Sequence, residues 1–249
     1  MQRPDNTMLA NKAIGTDILT GTGNRHLVNL TPDKSKGAQM TPLKMRIHQK
    51  VLQPFMALKA AAAIEGFDLC ICSAYRSFDR QRVIWNDKLA GLRPVLDQFS
   101  NPIDLSQLDE WQKIQAVLRW SALPGASRHH WGTDFDIYDA GAISADYQIQ
   151  LVPEECEGTG VFAPMHGWLS SMLLSTKKDL YGFYRPYAVD RGGVAPEPWH
   201  LSYRPIADGY AEQLSSAIIT QQLLDDGKLM YLDTVIAHID EIMERFVKL

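Results

Sequence analysis

Ser127-Arg128-His129-His130-Trp131-Gly132-Thr133-Asp134-Phe135-Asp136 is the stretch on which the reading of this 249-residue chain turns. His129 and Asp136 stand seven positions apart across Gly132, which frees the backbone to turn. If the residues after Gly132 run as a strand, Asp134 and Asp136 share one face while Phe135 and Ile137 take the other. That alternation suits a sheet with one face on the core and one on a cleft. A second stretch, Glu197-Pro198-Trp199-His200, adds a carboxylate and an imidazole three positions apart. On a regular strand those two would diverge, and Pro198 disfavours a central ladder position, so an irregular segment is expected there. Two imidazoles and one carboxylate are the usual ligands of a zinc ion that keeps a fourth position open for water. A spare glutamate near that water is what hydrolysis needs.

These two segments resemble the Ser-x-His-x(6)-Asp and Glu-x-Trp-His signatures of the VanY-type D-alanyl-D-alanine carboxypeptidases, zinc peptidases of bacterial cell walls. A third, Ser73-Ala74-Tyr75-Arg76-Ser77-Phe78-Asp79-Arg80-Gln81, is similar to the family's Ser-Gly-Tyr-Arg-Ser stretch, with Gln81 five residues after Arg76. Three motifs in order are far more specific than one, and together they cover Ile64 to Tyr203. The resemblance implies Zn2+ held by His129, Asp136 and His200, Glu197 as general base, and Arg76 facing the substrate. It also places Ser127 and Gln81 against the peptide's terminal carboxylate; Tyr75 and Asp134 are read as further substrate-side positions. The chain departs from the family in having Ala74 where a Gly is usual and Asp134 where a small residue is usual. Asp134 could tune the site, bind a basic group of the substrate, or turn aside into a hydrogen bond. His130 is not expected to be a ligand, because neighbouring strand residues diverge.

With these assignments the chemistry is amide hydrolysis without a covalent intermediate. Zinc lowers the pKa of its water to about 7, and Glu197 can relay the proton to the leaving amine. The guanidinium of Arg76 either stabilises the developing oxyanion, an effect on the order of 3 kcal/mol, or clamps the substrate carboxylate in a bidentate fork.

Composition fits a globular enzyme: 45% of the residues are hydrophobic and the net charge is only -4. No basic run interleaved with aromatics suggests a nucleic-acid surface, and no apolar stretch reaches the roughly 20 residues needed to span a bilayer. Cys70, Cys72 and Cys156 show no disulfide pattern. Met1 to Thr31 lacks the charged start and apolar middle of a secretory signal. The resemblance points to the periplasm or cell envelope, so the compartment stays open between those and the cytoplasm.

Thr41-Pro42 reads as a helix start and Gly66 as its stop, with Pro54 expected to kink or divide the helix. Phe67 to Ser73 alternates as a strand leading into Arg76, and Ser77 caps a helix to about Leu89. Further helices are expected over 106–120 and 162–174, and a strand over 181–187. Beyond Tyr203, segments 208–224 and 231–247 have helical spacing around Asp225-Asp226-Gly227 and read as a helical hairpin. The expected fold is α+β: a small, mostly antiparallel sheet with flanking helices, as in hedgehog and DD-peptidase domains, plus the C-terminal helical hairpin. An N-terminal extension (1–40), a zinc peptidase domain (41–204) and the hairpin (205–249) make up the organisation. The hairpin's apolar positions pack on the domain or on a second copy, giving a homodimer.

The expected activity is hydrolysis of the terminal D-Ala-D-Ala bond of peptidoglycan stem peptides. The same motifs also suit an L,D-carboxypeptidase or a peptidoglycan endopeptidase. A non-catalytic zinc-bearing binding module is the alternative from another class, and retention of Glu197 argues against it.

Overall fold

The alternation after Gly132 does form a strand, and it is the centre of the molecule. The structure, a computed structural model, describes residues 13–30, 45–174 and 181–248. In chain order these form helix α1 (Thr16–Thr20), strands β1 (Leu27–Asn29) and β2 (Arg46–His48), helix α2 (Leu52–Ile64) and strand β3 (Leu69–Ser73). Helices α3 (Phe78–Leu89) and α4 (Glu110–Leu118), strand β4 (Asp134–Asp139), and helices α5 (Pro153–Cys156) and α6 (Ala163–Leu174) follow. Strands β5 (Phe183–Tyr184) and β6 (His200–Tyr203) then lead into helices α7 (Arg204–Gln213), α8 (Ser216–Asp226), α9 (Leu232–Ala237) and α10 (Ile239–Ile242).

Four strands pair antiparallel in the order β3-β4-β6-β5, and β1 and β2 make a separate ribbon. Because side chains alternate across a strand, Phe135, Ile137 and Leu201 fall on one face of the sheet, and Asp134, Asp136, His200 and Ser202 on the other. The first set packs with Leu69, Ile71 and Phe183 against Phe55 and Leu58 of α2 and Met165 and Leu169 of α6. A second core joins Trp85 of α3 and Ile114 of α4 to Ile219, Val235 and Ile242 of the C-terminal helices, and it takes in Trp131 from the turn before β4. The polar face of the sheet lies beside that second core.

Gly132 joins the two regions. Its φ of 66° is left-handed, and a Cβ there would come within 2.5 Å of Leu27 and 2.9 Å of the His48 amide, so both conformation and space call for glycine. Its carbonyl accepts the His48 N–H at 2.8 Å, which fastens the ribbon to the turn.

Several boundaries differ from expectation. The helix start at Thr41-Pro42 lies outside the described residues, and Arg46–His48 is strand, so the helix begins only at Leu52. Pro54 therefore sits in the first turn of α2, where a missing N–H breaks no helical bond, and the helix continues to Ile64. The expected strand over 181–187 shrinks to Phe183–Tyr184, just ahead of Pro186, which has no N–H to donate to a ladder. The C-terminal helices are present, broken into shorter pieces than the spacing suggests. Leu214 is extended and Ser215 caps α8 through Ile218 N, while His238 leaves helical geometry between α9 and α10 and stacks on Trp111 at 4.0 Å. These helices share the second core with α3 and α4, so they pack on the domain.

Candidate active site

Ser127 begins a tight helical turn over Arg128–Trp131, which presents His129 toward the polar face of β4. On that face Asp136 lies directly opposite His200 of β6, and Asp134 opposite Ser202. A one-turn bend brings Glu197 to the same side, because the His200 N–H donates to the Glu197 carbonyl at 3.1 Å. The structure thus brings together His129, Asp136, His200 and Glu197. His129 Nε2 stands 3.5 Å from Asp136 Oδ2, and His200 Nδ1 stands 3.3 Å from both Asp136 Oδ1 and Glu197 Oε2.

One ligand atom from each of His129, Asp136 and His200 falls within 4.8 Å of the others. A tetrahedral zinc with bonds near 2.0–2.1 Å holds its donors about 3.4 Å apart, close to the distances above. Asp136 Oδ1 and His200 Nδ1 are buried and have no hydrogen-bond partner, a costly arrangement unless a cation is meant to lie between them. Charge gives the same answer. Burial opposes a charged His200, yet the carboxylates of Asp134, Asp136 and Glu197 around its ring raise its pKa well above the ordinary imidazole value, so the site favours positive charge. His129, by contrast, is brought down to about 3, chiefly by burial, and offers a neutral imidazole. Its Nδ1 bonds the Ala74 carbonyl at 3.0 Å, which leaves Nε2 as the donor atom. The donor set fits zinc.

Arg76 sits at the β3-to-α3 corner, and this corner is stitched to the His129 turn. Arg76 N–H donates to the His129 carbonyl at 3.1 Å, and His130 Nδ1 bonds the Arg76 carbonyl at 2.6 Å. His130 Nε2 accepts the Gly125 N–H at 3.0 Å, so both its nitrogens are occupied and it is not a ligand. Arg76 Nη1 donates to Gln81 Oε1 at 2.9 Å and Nη2 to Ser73 Oγ at 3.1 Å. Burial pushes the Glu197 carboxyl upward, against the pull of His200, which suits a base near neutrality.

The other residues of the motifs are buried or hydrogen-bonded within the chain. Gln81 is fully buried, with its amide donating to the Ala122 carbonyl at 2.7 Å and its carbonyl oxygen holding Arg76. The Tyr75 hydroxyl donates to the Gly21 carbonyl at 3.1 Å. Asp134 is also fully buried and lies behind His200, with its Oδ1 3.1 Å from His200 Nε2. Ser127 is buried at the start of its turn.

A sequence model of the VanY family, described as D-alanyl-D-alanine carboxypeptidase, matches residues 44–206. The chain belongs to the VanY family. An uncharacterised protein of Haemophilus influenzae is 44% identical over 107 residues, covering 43% of this chain and 68% of its own. A second from the same organism is 31% identical over 127 residues, covering 50% and 92%. Among solved structures, a vancomycin-resistance D,D-pentapeptidase VanY in complex with Zn(II) is similar at 22% identity and TM-score 0.47, covering 79% of this chain and 88% of that one. The LdcB LD-carboxypeptidase is similar at 23% identity and TM-score 0.48, covering 77% and 79%.

Some site residues carry no motif signal. Lys88 lies two helical turns beyond Gln81 on α3 and interacts electrostatically with Arg76 and Glu197; burial, then Arg76, bring its ammonium down to about 8. Its seven-residue spacing from Gln81 is the one cue the sequence offers. Tyr187 lays its ring 5.0 Å from that of His200, and its carbonyl accepts the Glu197 N–H at 2.9 Å. The segment between these residues is tied down from outside: Arg119 Nη1 donates to Asp190 Oδ1 at 2.9 Å and to the Gly193 carbonyl at 2.8 Å, and Arg245 Nη2 donates to the Gly192 carbonyl at 3.1 Å.

Proposed function

We propose that this chain is a zinc-dependent D,D-carboxypeptidase that hydrolyses the terminal D-Ala-D-Ala bond of peptidoglycan stem peptides. The observation that carries the reading is the cradle of His129, Asp136 and His200 with Glu197 beside it, in a chain of the VanY family. His129 Nε2, an Asp136 carboxylate oxygen and His200 Nδ1 would hold the ion. Zinc supplies Lewis acidity there, polarising the scissile carbonyl and acidifying a water toward a pKa of about 7.

The protein's own groups do the rest. Glu197 takes a proton from the attacking water and delivers it to the departing amine as the carbon–nitrogen bond breaks, giving the shortened peptide and free D-alanine. Arg76, oriented by Gln81 and Ser73, provides a fixed positive charge for the substrate's carboxylate or for the developing oxyanion. Lys88 adds a second cation that interacts electrostatically with Arg76 and Glu197.

The test is mass analysis of products after incubation of the zinc-loaded protein with muropeptides ending in D-Ala-D-Ala, or in L-Lys or diaminopimelate followed by D-Ala. Loss of one alanine from the first substrate alone is expected, with Glu197→Ala silent yet zinc-replete. Cleavage of only the second set would make the protein an L,D-carboxypeptidase. No cleavage of either by a zinc-replete chain would point to a binding module.

A further inference from the structure

We propose that Asp134 and Arg128 form a buried positioning pair that fixes His200 in the tautomer and orientation needed to ligate a metal through Nδ1. This rests on the zinc reading of the cradle and extends it to residues that touch neither ion nor peptide.

Asp134 precedes Asp136 by two residues on the same face of β4, so both carboxylates reach the ring of His200. Asp136 meets it at Nδ1, at 3.3 Å, and Asp134 Oδ1 meets it on the far side at Nε2, at 3.1 Å. A carboxylate can only accept, so Nε2 must carry the hydrogen, and the Nδ1 lone pair is left pointing at Asp136 and the cradle. A ligating histidine whose other nitrogen donates to a carboxylate is held in place and made more basic.

Left alone, Asp134 would be a third buried anion beside Asp136 and Glu197, and such a charge persists only when paired and hydrogen-bonded. Arg128 meets that requirement. Its Nε donates to Asp134 Oδ1 at 2.7 Å, and the other oxygen accepts the Thr133 hydroxyl at 2.6 Å. Arg128 is itself only 4% exposed and is locked in turn: Nη2 donates to Ser202 Oγ at 2.8 Å and to the Tyr184 hydroxyl at 2.9 Å, and the guanidinium lies 4.9 Å over the Trp131 ring. The pair therefore ties His200 to three elements: β5 through Tyr184, β6 through Ser202 and the turn through Trp131. Arg128 is next to His129 in sequence, so the turn that supplies one ligand also supplies the brace for another.

The test measures zinc affinity by competition with a chromophoric chelator, alongside nitrogen-15 NMR of the histidine rings in the metal-free and zinc-loaded chain. Asp134→Asn keeps the size and removes the charge; the double variant Asp134→Ala with Arg128→Met removes both charges together and leaves no orphaned ion. Zinc binding should weaken 10- to 100-fold in both, roughly the usual effect of losing such a partner. In the zinc-loaded chain the His200 resonances should change from a single form, protonated at Nε2 and bound through Nδ1, to a mixture in the double variant, a change that general loss of stability does not produce. Affinity within twofold of wild type in either variant overturns the pair's role. A wild-type chain that takes up no zinc instead overturns the metal reading on which the pair depends.

Discussion

Gly193→Ala tests whether the C-terminal helices set the position of Glu197. A Cβ at Gly193 would lie 1.7 Å from the Arg245 carbonyl oxygen and 2.8 Å from its carbon. Ordinary contact begins at 3.4 Å, so loop and helix must part by about 1.7 Å, and the obstacle is backbone that no rotamer change can move. Overpacking of this kind costs about 1–3 kcal/mol. For a chain of 249 residues that lowers the melting temperature by roughly 2–4 °C per kcal/mol. The functional effect should be larger, because Gly193 lies four residues before Glu197, and misplacing a catalytic group by about 1 Å can cost on the order of 100-fold in rate. His200 is held by its pairing with Asp136, so zinc content should stay normal. Gly192→Ala is the control: its φ of 80° makes alanine strained by roughly 1–2 kcal/mol, but nothing lies within 4 Å of the added carbon. Calorimetry, zinc stoichiometry and steady-state kinetics on a D-Ala-D-Ala peptide should show both variants destabilised and only Gly193→Ala losing kcat. Full kcat in a destabilised Gly193→Ala would refute the argument, since β6 alone would then be fixing Glu197.

Stability should also fall in mild acid. Burial is the largest influence on His26, His48 and His166 and brings them down to about 4, about 4 and about 3, against about 6.5 in the unfolded chain. Below pH 6.5 the unfolded chain therefore binds protons that the folded one refuses; the stabilisation is complete above that pH and drains away as pH falls toward 4. Unfolding free energies from urea titrations across that range should decline by several kcal/mol in sum, and a flat profile would mean these rings are not buried as described. Lys88→Met should raise KM for a carboxylate-terminated peptide by roughly tenfold or more with little change in kcat, as expected for a lost charged contact. The wild-type KM should climb as pH passes about 8, where Lys88 gives up its proton, and an unchanged KM in the variant would remove Lys88 from the binding surface.

The cradle was legible because its determinants are local. Period-two alternation puts Asp136 and Phe135 on opposite faces, Gly132 makes the reversal, and a short bend sets Glu197 beside His200. Helix α3 was equally readable, since Ser77 accepts the Arg80 N–H as its cap. What could not be read depends on distant partners. Gln81 turns inward because the Ala122 carbonyl waits for it 41 residues later, and Tyr75 finds Gly21 54 residues earlier. Asp134 is hidden by Arg128, a residue whose motif position gives no hint of an inward guanidinium. In the C-terminal region the apolar spacing marks the helices. The breaks at Leu214 and His238 arise from a serine cap and a ring stacked on Trp111, neither of which disturbs the periodicity.

The placement of the two cores has a mechanical consequence. Asp136 and His200 belong to strands rooted in the sheet core, whereas the turn bearing His129 is anchored by Trp131 in the helical core. An ion gripped by all three would rivet one half of the molecule to the other across their seam. Metal uptake would then be felt as a stiffening of the whole chain, and its removal as slack between the halves.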